Sequence, residues 1–193
     1  MNIHMKKRQE EQDPYGLSWQ LMLVDRERTV QKIRPNLLFS NEVCGKAEEA
    51  IKYYTEVFEA SQIGMISTYK EGEASSANAK INYASFKLLG MDFSAMDNGF
   101  DVDFSFNEAF SLIIYCENQQ EIDYYWNKLS YVPEAEQCGW IKDKFGLSWQ
   151  IVPLVLTDIM NSGDEEKNQR VSEALLKMKK LDIVVLQKAF DGF

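Results

Sequence analysis

Gln137-Cys-Gly-Trp-Ile-Lys-Asp-Lys-Phe-Gly-Leu-Ser-Trp-Gln-Ile-Val-Pro153 is the stretch on which the fold of this chain turns. Two β-rich runs, Gln137–Lys142 and Leu147–Val152, flank Asp143–Gly146, whose aspartate and glycine are turn formers, so the stretch predicts a hairpin. Its centre recurs near the start of the chain, where Asp13-Pro-Tyr-Gly-Leu-Ser-Trp-Gln-Leu21 repeats Asp143-Lys-Phe-Gly-Leu-Ser-Trp-Gln-Ile151. Chance does not readily place Gly-Leu-Ser-Trp-Gln twice after an Asp-x-aromatic turn. The first copy reads as the end of a missing preceding module, covering residues 13–30. Leu17–Val24 would then be an added strand, filling a gap in the chain's own sheet or pairing with another subunit.

Outward from the hairpin, the chain gives the same element order twice. Lys32–Phe39 is a strand, with Pro35 pointing to an edge or bulge. Ala47–Phe58 follows with Ala47, Ala50, Ile51, Tyr54, Val57 and Phe58 at helical spacing on one face. Gln62–Tyr69, Ala79–Leu89 and Asp92–Met96 are β-rich runs separated by the turn-forming residues 71–78 and by Gly90. After a polar, Phe-studded loop, Phe110–Cys116 is an apolar strand and Gln119–Ser130 a second amphipathic helix. The hairpin closes this half, which has one strand fewer than the first. Residues 154–193 read as a helical tail, with Ser162-Gly-Asp-Glu165 fitting a capping box.

Bulk properties narrow the function. The 193 residues carry a net charge of -9, which disfavours nucleic acid, since that affinity depends on neutralising phosphates. No apolar run reaches the roughly 20 residues of a membrane span. Residues 1–12 read as a flexible, charged lead-in without the apolar stretch of a secretory signal. Cys44, Cys116 and Cys138 lack metal or disulfide spacing and suit a reducing, cytoplasmic setting.

The closing hairpin resembles that of PhnB-like proteins in the vicinal oxygen chelate (glyoxalase/bleomycin-resistance) superfamily. So do Cys116-Glu-Asn-Gln-Gln-Glu-Ile-Asp-Tyr-Tyr-Trp-Asn-Lys-Leu129, the Ala47–Phe58 helix and Met178-Lys-Lys-Leu-Asp-Ile183. The resemblance spans Gln31–Gly192. It implies an α+β fold of paired βαβββ modules over 31–153, curled into a cup around a small molecule, and a homodimer. The family often carries the label 3-demethylubiquinone-9 3-methyltransferase. The glycine-rich strand–helix turn that usually holds S-adenosylmethionine does not occur in this sequence, so methyl transfer is not expected.

The resemblance also implies where a ligand would sit. Superfamily metalloenzymes hold a divalent ion with His, Gln or Glu side chains on inward-facing strands. Here the single histidine, His4, lies in the lead-in, leaving Asn36 and Gln150 as weak metal candidates; no cofactor is expected. Cys138 has no histidine to activate it, and no catalytic residue is assigned. The candidate pocket comprises Cys138, Trp140, Asp143, Trp149 and Gln150, facing Asn36, Asp97, Asn98, Phe104 and Phe106, an apolar cup with a few polar groups. The competing reading places the aromatics in core or dimer interface. The expectation is a protein that binds an unidentified small molecule. The alternatives are a metal-dependent isomerase, lyase or dioxygenase, and a drug-sequestering protein whose acidic, aromatic groove captures cations.

Overall fold

The computed structural model describes residues 9–21, 31–100 and 102–193. They divide into two compact units between Ile33 and Arg34. In the first unit, β1 (Gln9–Gln12) pairs antiparallel with β2 (Ser18–Leu21), Gln12 opposite Ser18. The lead-in expectation is therefore corrected for Gln9–Gln12: strand pairing is made by the backbone and does not need apolar side chains. His4 and the residues beyond Leu21 in the expected Leu17–Val24 strand lie outside the described residues.

The second unit opens with β3 (Asn36–Phe39), α1 (Ala47–Val57), β4 (Gln62–Thr68), β5 (Ile81–Leu88) and β6 (Met91–Asp97). These strands form one sheet in the order β3-β6-β5-β4, with β3 parallel to β6. β3 starts later than its sequence suggests because Pro35 has no N–H to give the ladder; its carbonyl still accepts from Ser94 N at 2.9 Å. α1 buries Ala47, Ala50, Ile51, Tyr54 and Val57, and exposed Lys52 pairs with Glu48 one turn back.

Asp97 at the end of β6 holds this half together. One carboxylate oxygen accepts from Gly45 N at 2.8 Å and Ala47 N at 3.1 Å, the other from Lys80 N at 3.0 Å and Ile81 N at 2.8 Å. The N-cap residue of α1, Lys46, makes no side-chain cap, so Asp97 supplies from a distant strand the acceptor that a helix start needs. Gly45 allows the close approach: its φ is +88°, and a Cβ there would lie 2.4 Å from the Asn78 carbonyl oxygen.

The other half consists of β7 (Ser111–Cys116), α2 (Gln119–Leu129), β8 (Trp140–Lys142) and β9 (Ser148–Pro153). Its sheet runs β7-β9-β8, with β7 parallel to β9. Where a further strand would lie beside β8, the Tyr131–Gln137 segment lies instead. Tyr131 N donates to Lys142 O at 3.0 Å, and Gln137 and Trp140 exchange backbone bonds of 3.2 and 2.8 Å. Outward groups of β8 at Trp140 and Lys142 are thus bonded within this unit.

α1 and α2 lie against each other as well as against the sheets. Tyr124 Oη donates to Val57 O at 2.9 Å, and the Tyr53 hydroxyl donates to the Lys128 carbonyl. One buried core therefore runs through both halves, from Leu37 and Phe86 to Ile114 and Ile151. The tail forms α3 (Leu154–Met160), α4 (Glu165–Leu175) and α5 (Ile183–Asp191), with a small core of Ile159, Val171, Leu181 and Leu186. Asp164, not Ser162, caps α4 by accepting from Lys167 N at 3.2 Å. The tail packs on its own unit: Cys138 N and Gly139 N donate to Met178 O and Lys179 O at 2.9 and 2.8 Å.

Candidate functional site

Alternation along β7, β8 and β9 separates two faces. Ile114, Cys116, Ile141, Trp149 and Ile151 point to the buried core. Ser111, Ile113, Tyr115, Trp140, Lys142, Ser148, Gln150 and Val152 share the opposite face, by register and by parity. That face is open: Ile113 is 48% and Tyr115 56% exposed.

Two neighbouring depressions mark it. One, of about 340 Å³, is lined by Ile113, Tyr115, Gln150, Val152, Leu156 and Met160 among others. The other, of about 300 Å³, is lined by Glu108, Gln137, Trp140, Lys142 and Ser148 among others. Gln150 lies between them in register with both Ile113 and Trp140, and its amide donates to Ser111 Oγ at 2.9 Å. Lys142 pairs with Glu108. Ser148 is 1% exposed, and its Oγ has no hydrogen-bond partner among the described residues. A buried hydroxyl without a partner costs free energy unless something bonds it.

A family model described as 3-demethylubiquinone-9 3-methyltransferase matches residues 31–152. The chain belongs to that family. A Bacillus cereus PhnB protein, described as a 3-demethylubiquinone-9 3-methyltransferase, is 35% identical with a TM-score of 0.54, over 64% of this chain and 99% of that one. The PA1353 protein of Pseudomonas aeruginosa is 17% identical with a TM-score of 0.50, over 64% of this chain and 98% of that one, and shows the shared fold alone. No curated protein matches the sequence. The α+β architecture is therefore that of the PhnB-like family.

Within this PhnB-like fold, the residues expected to line a pocket separate into groups. Trp140 and Gln150 come together on the open face. Asn36 lies on the other sheet, its Oδ1 accepting from Ser94 Oγ at 2.9 Å. Phe104 is half exposed, and its carbonyl accepts from Ser40 Oγ and Asn41 Nδ2 at 2.6 and 2.9 Å. Phe106 meets Phe39 edge to face at 5.1 Å. Asn98 serves its own loop, with Oδ1 accepting from Phe100 N at 3.2 Å. Cys138 sits in a turn at φ +51°, with Gln137 Nε2 3.2 Å from its sulfur.

Three expected lining residues are instead inside the core. Asp97 and Asp143 are 0% and 1% exposed, and Trp149 2%. Every Asp97 bond described above goes to backbone. Asp143 Oδ1 accepts from Phe145 N and Leu147 N at 2.8 and 3.1 Å, and its Oδ2 from Tyr54 Oη and Trp149 Nε1 at 2.7 and 2.8 Å. Burial pushes the Asp143 carboxyl above its ordinary value, while the bonds from Trp149, Tyr54 and the two amides pull it back. Burial, then the Asp143 charge, raises Tyr54 well above the usual phenol range. These groups join elements and leave little for a ligand to bond.

Ser148, Ser111, Ile113 and Tyr115 share this face without having been singled out in the sequence. Stepping two residues along each strand from Gln150 would have found the first, since parity fixes which side chains share its face.

The divalent ion that the resemblance to the vicinal oxygen chelate superfamily implies does not fit the residues present. Among the described residues no group of three His, Cys, Asp or Glu could hold a metal. Asn36 and Gln150 offer neutral amide oxygens beside serine hydroxyls, without the carboxylate or imidazole that binds such an ion tightly.

Proposed function

We propose that this PhnB-like chain binds a small, partly apolar molecule on the open face of its β7-β9-β8 sheet and works in the cytoplasm as a homodimer. The observation that carries the reading is Ser148, a buried hydroxyl without a partner among the described residues, lining a depression beside Trp140 and the Lys142–Glu108 pair. An indole wall with a few polar groups is the usual make-up of a small-ligand site. The exposed apolar strip of Ile113, Tyr115 and Met160 gives a second subunit a surface to cover and the cup its other wall. Three free cysteines suit a reducing compartment, and among the described residues no helix is long and apolar enough to cross a membrane.

Catalysis is not part of this reading. The family's name describes methyl transfer, but the β3–α1 and β7–α2 connections lack a glycine-rich phosphate-type turn. Gly45, alone in the first, is used to reach Asn78. Binding is tested by melting temperature with a panel of small aromatic and carboxylate compounds and S-adenosylmethionine, on wild type and Gln150→Leu. The expected result is a rise of several degrees with at least one panel compound, reduced in the variant. A rise with S-adenosylmethionine alone would replace this reading with methyl transfer, and an undiminished rise in Gln150→Leu would put the site elsewhere. Sedimentation checks the dimer, a monomer mass at micromolar concentration removing that half of the proposal.

A further inference from the structure

The two hairpin copies fold alike locally. Asp13 Oδ1 accepts from Tyr15 N and Leu17 N at 2.9 and 3.0 Å and Oδ2 from Trp19 Nε1 at 3.1 Å, matching the bonds Asp143 makes to Phe145, Leu147 and Trp149. The register agrees too, Gln12 facing Ser18 as Lys142 faces Ser148. Gly16 and Gly146 adopt the same left-handed turn, at φ +88° and +85°.

What differs is the cover. In the second copy Phe145, Leu147, Trp149 and Ile151 are at most 3% exposed. α1 and the residue after it supply much of that burial: Phe58 stacks on Trp149 at 5.4 Å, Tyr54 meets Trp149 edge-on at 5.4 Å, and Tyr54 Oη gives Asp143 its fourth bond. The matching residues of the first copy, Tyr15, Leu17, Trp19 and Leu21, are 95%, 53%, 40% and 61% exposed. Four exposed apolar residues around an aspartate bonded as Asp143 is, short of the tyrosine, repeat the surface that α1 covers in the second copy.

We propose that the residue 9–21 hairpin is a docking element for an α1-type helix of another βαβββ module, one presenting a tyrosine and, four residues on, a phenylalanine on an apolar face. The tyrosine hydroxyl donates to Asp13 and the phenylalanine stacks on Trp19. The chain's own α1 does not serve, because Tyr54 and Phe58 are 0% and 3% exposed and committed to the second copy.

The test uses the full chain and, as probe, a peptide of residues 46–59 locked as a helix by a lactam between Glu48 and Lys52, which already pair on its exposed side. Its helicity is verified by circular dichroism. Titration is followed by the Trp19 indole N–H and Leu17 amide NMR signals, assigned with Trp19→Phe. The expected result is a saturable shift at both below about 1 mM peptide, with Tyr54→Phe and Phe58→Ala peptides each binding about ten-fold more weakly. A helical peptide that leaves Trp19 unmoved at about 1 mM, that shifts only signals beyond Arg34, or that binds equally well after both substitutions overturns the proposal.

Discussion

The hairpins at residues 9–21 and 140–151 carry one turn in two surroundings. Both close with an aspartate that gathers two amides and an indole N–H, so the Asp-x-aromatic-Gly-Leu-x-Trp pattern is sufficient for the local bonds. Their titration differs in sign. The indole N–H of Trp19 and the local amides hold the half-buried Asp13 carboxyl below its ordinary value, whereas burial lifts that of Asp143. Sequence writes the turn; the neighbours decide what the turn is worth.

The largest contrast expected is Asp143→Ala against Asp13→Ala. The first strands Tyr54 Oη, an indole N–H and two amides in the core and is expected to cost about 3 kcal/mol or more. The second is expected to leave the urea midpoint of the 34–193 unit in place. Equal losses would mean that the first copy is as buried in solution as the second. Tyr54→Phe sharpens the contrast by removing only the bond the first copy lacks, with an expected loss of about 1–2 kcal/mol in the same urea experiment. Gly146→Ala forces a side chain into a left-handed turn that has open space around it, so backbone strain of about 1 kcal/mol is the whole expected effect. Gly16→Ala should carry the same strain without moving the main unfolding transition, read by hydrogen exchange within residues 13–21.

The smallest effect is pH dependence, measured by carboxyl carbon NMR. Asp143 should titrate above 3.8 and Asp13 below it. With its folded value raised, Asp143 favours folding at acid pH and loses that contribution as pH rises from 3.8 through its folded value. Asp13, with its value lowered, stabilises its hairpin above 3.8 and loses that as pH falls through its folded value. Titration of both on the same side of 3.8 would remove the distinction.

Much of the fold was legible because it follows from periodicity. Ala47, Ala50, Ile51 and Tyr54 gave α1 within a residue of its end, and the order of elements along the chain emerged from turn residues and β-rich runs. The site was less so. Asp97 and Asp143 stand out in sequence as polar groups amid apolar ones, which a ligand site and a buried tie share. Only the arrival of Gly45, Lys80 or Tyr54 from distant segments tells them apart. Nor does sequence show that Tyr131–Gln137 would take the outer edge of β8, since an irregular segment with a proline carries no period.

Asp97 has a consequence for the order in which the molecule assembles. The first N–H groups of α1 wait for an acceptor lying 50 residues further along the chain, so the helix is encoded locally but completed only when β6 docks. A folding transition state without β6 would contain an α1 frayed at its start. Asp97→Asn would then mainly speed unfolding, and a transition state that already includes β6 would show the same substitution as slower folding. One carboxylate can thus serve as a clock for when the two ends of this half meet.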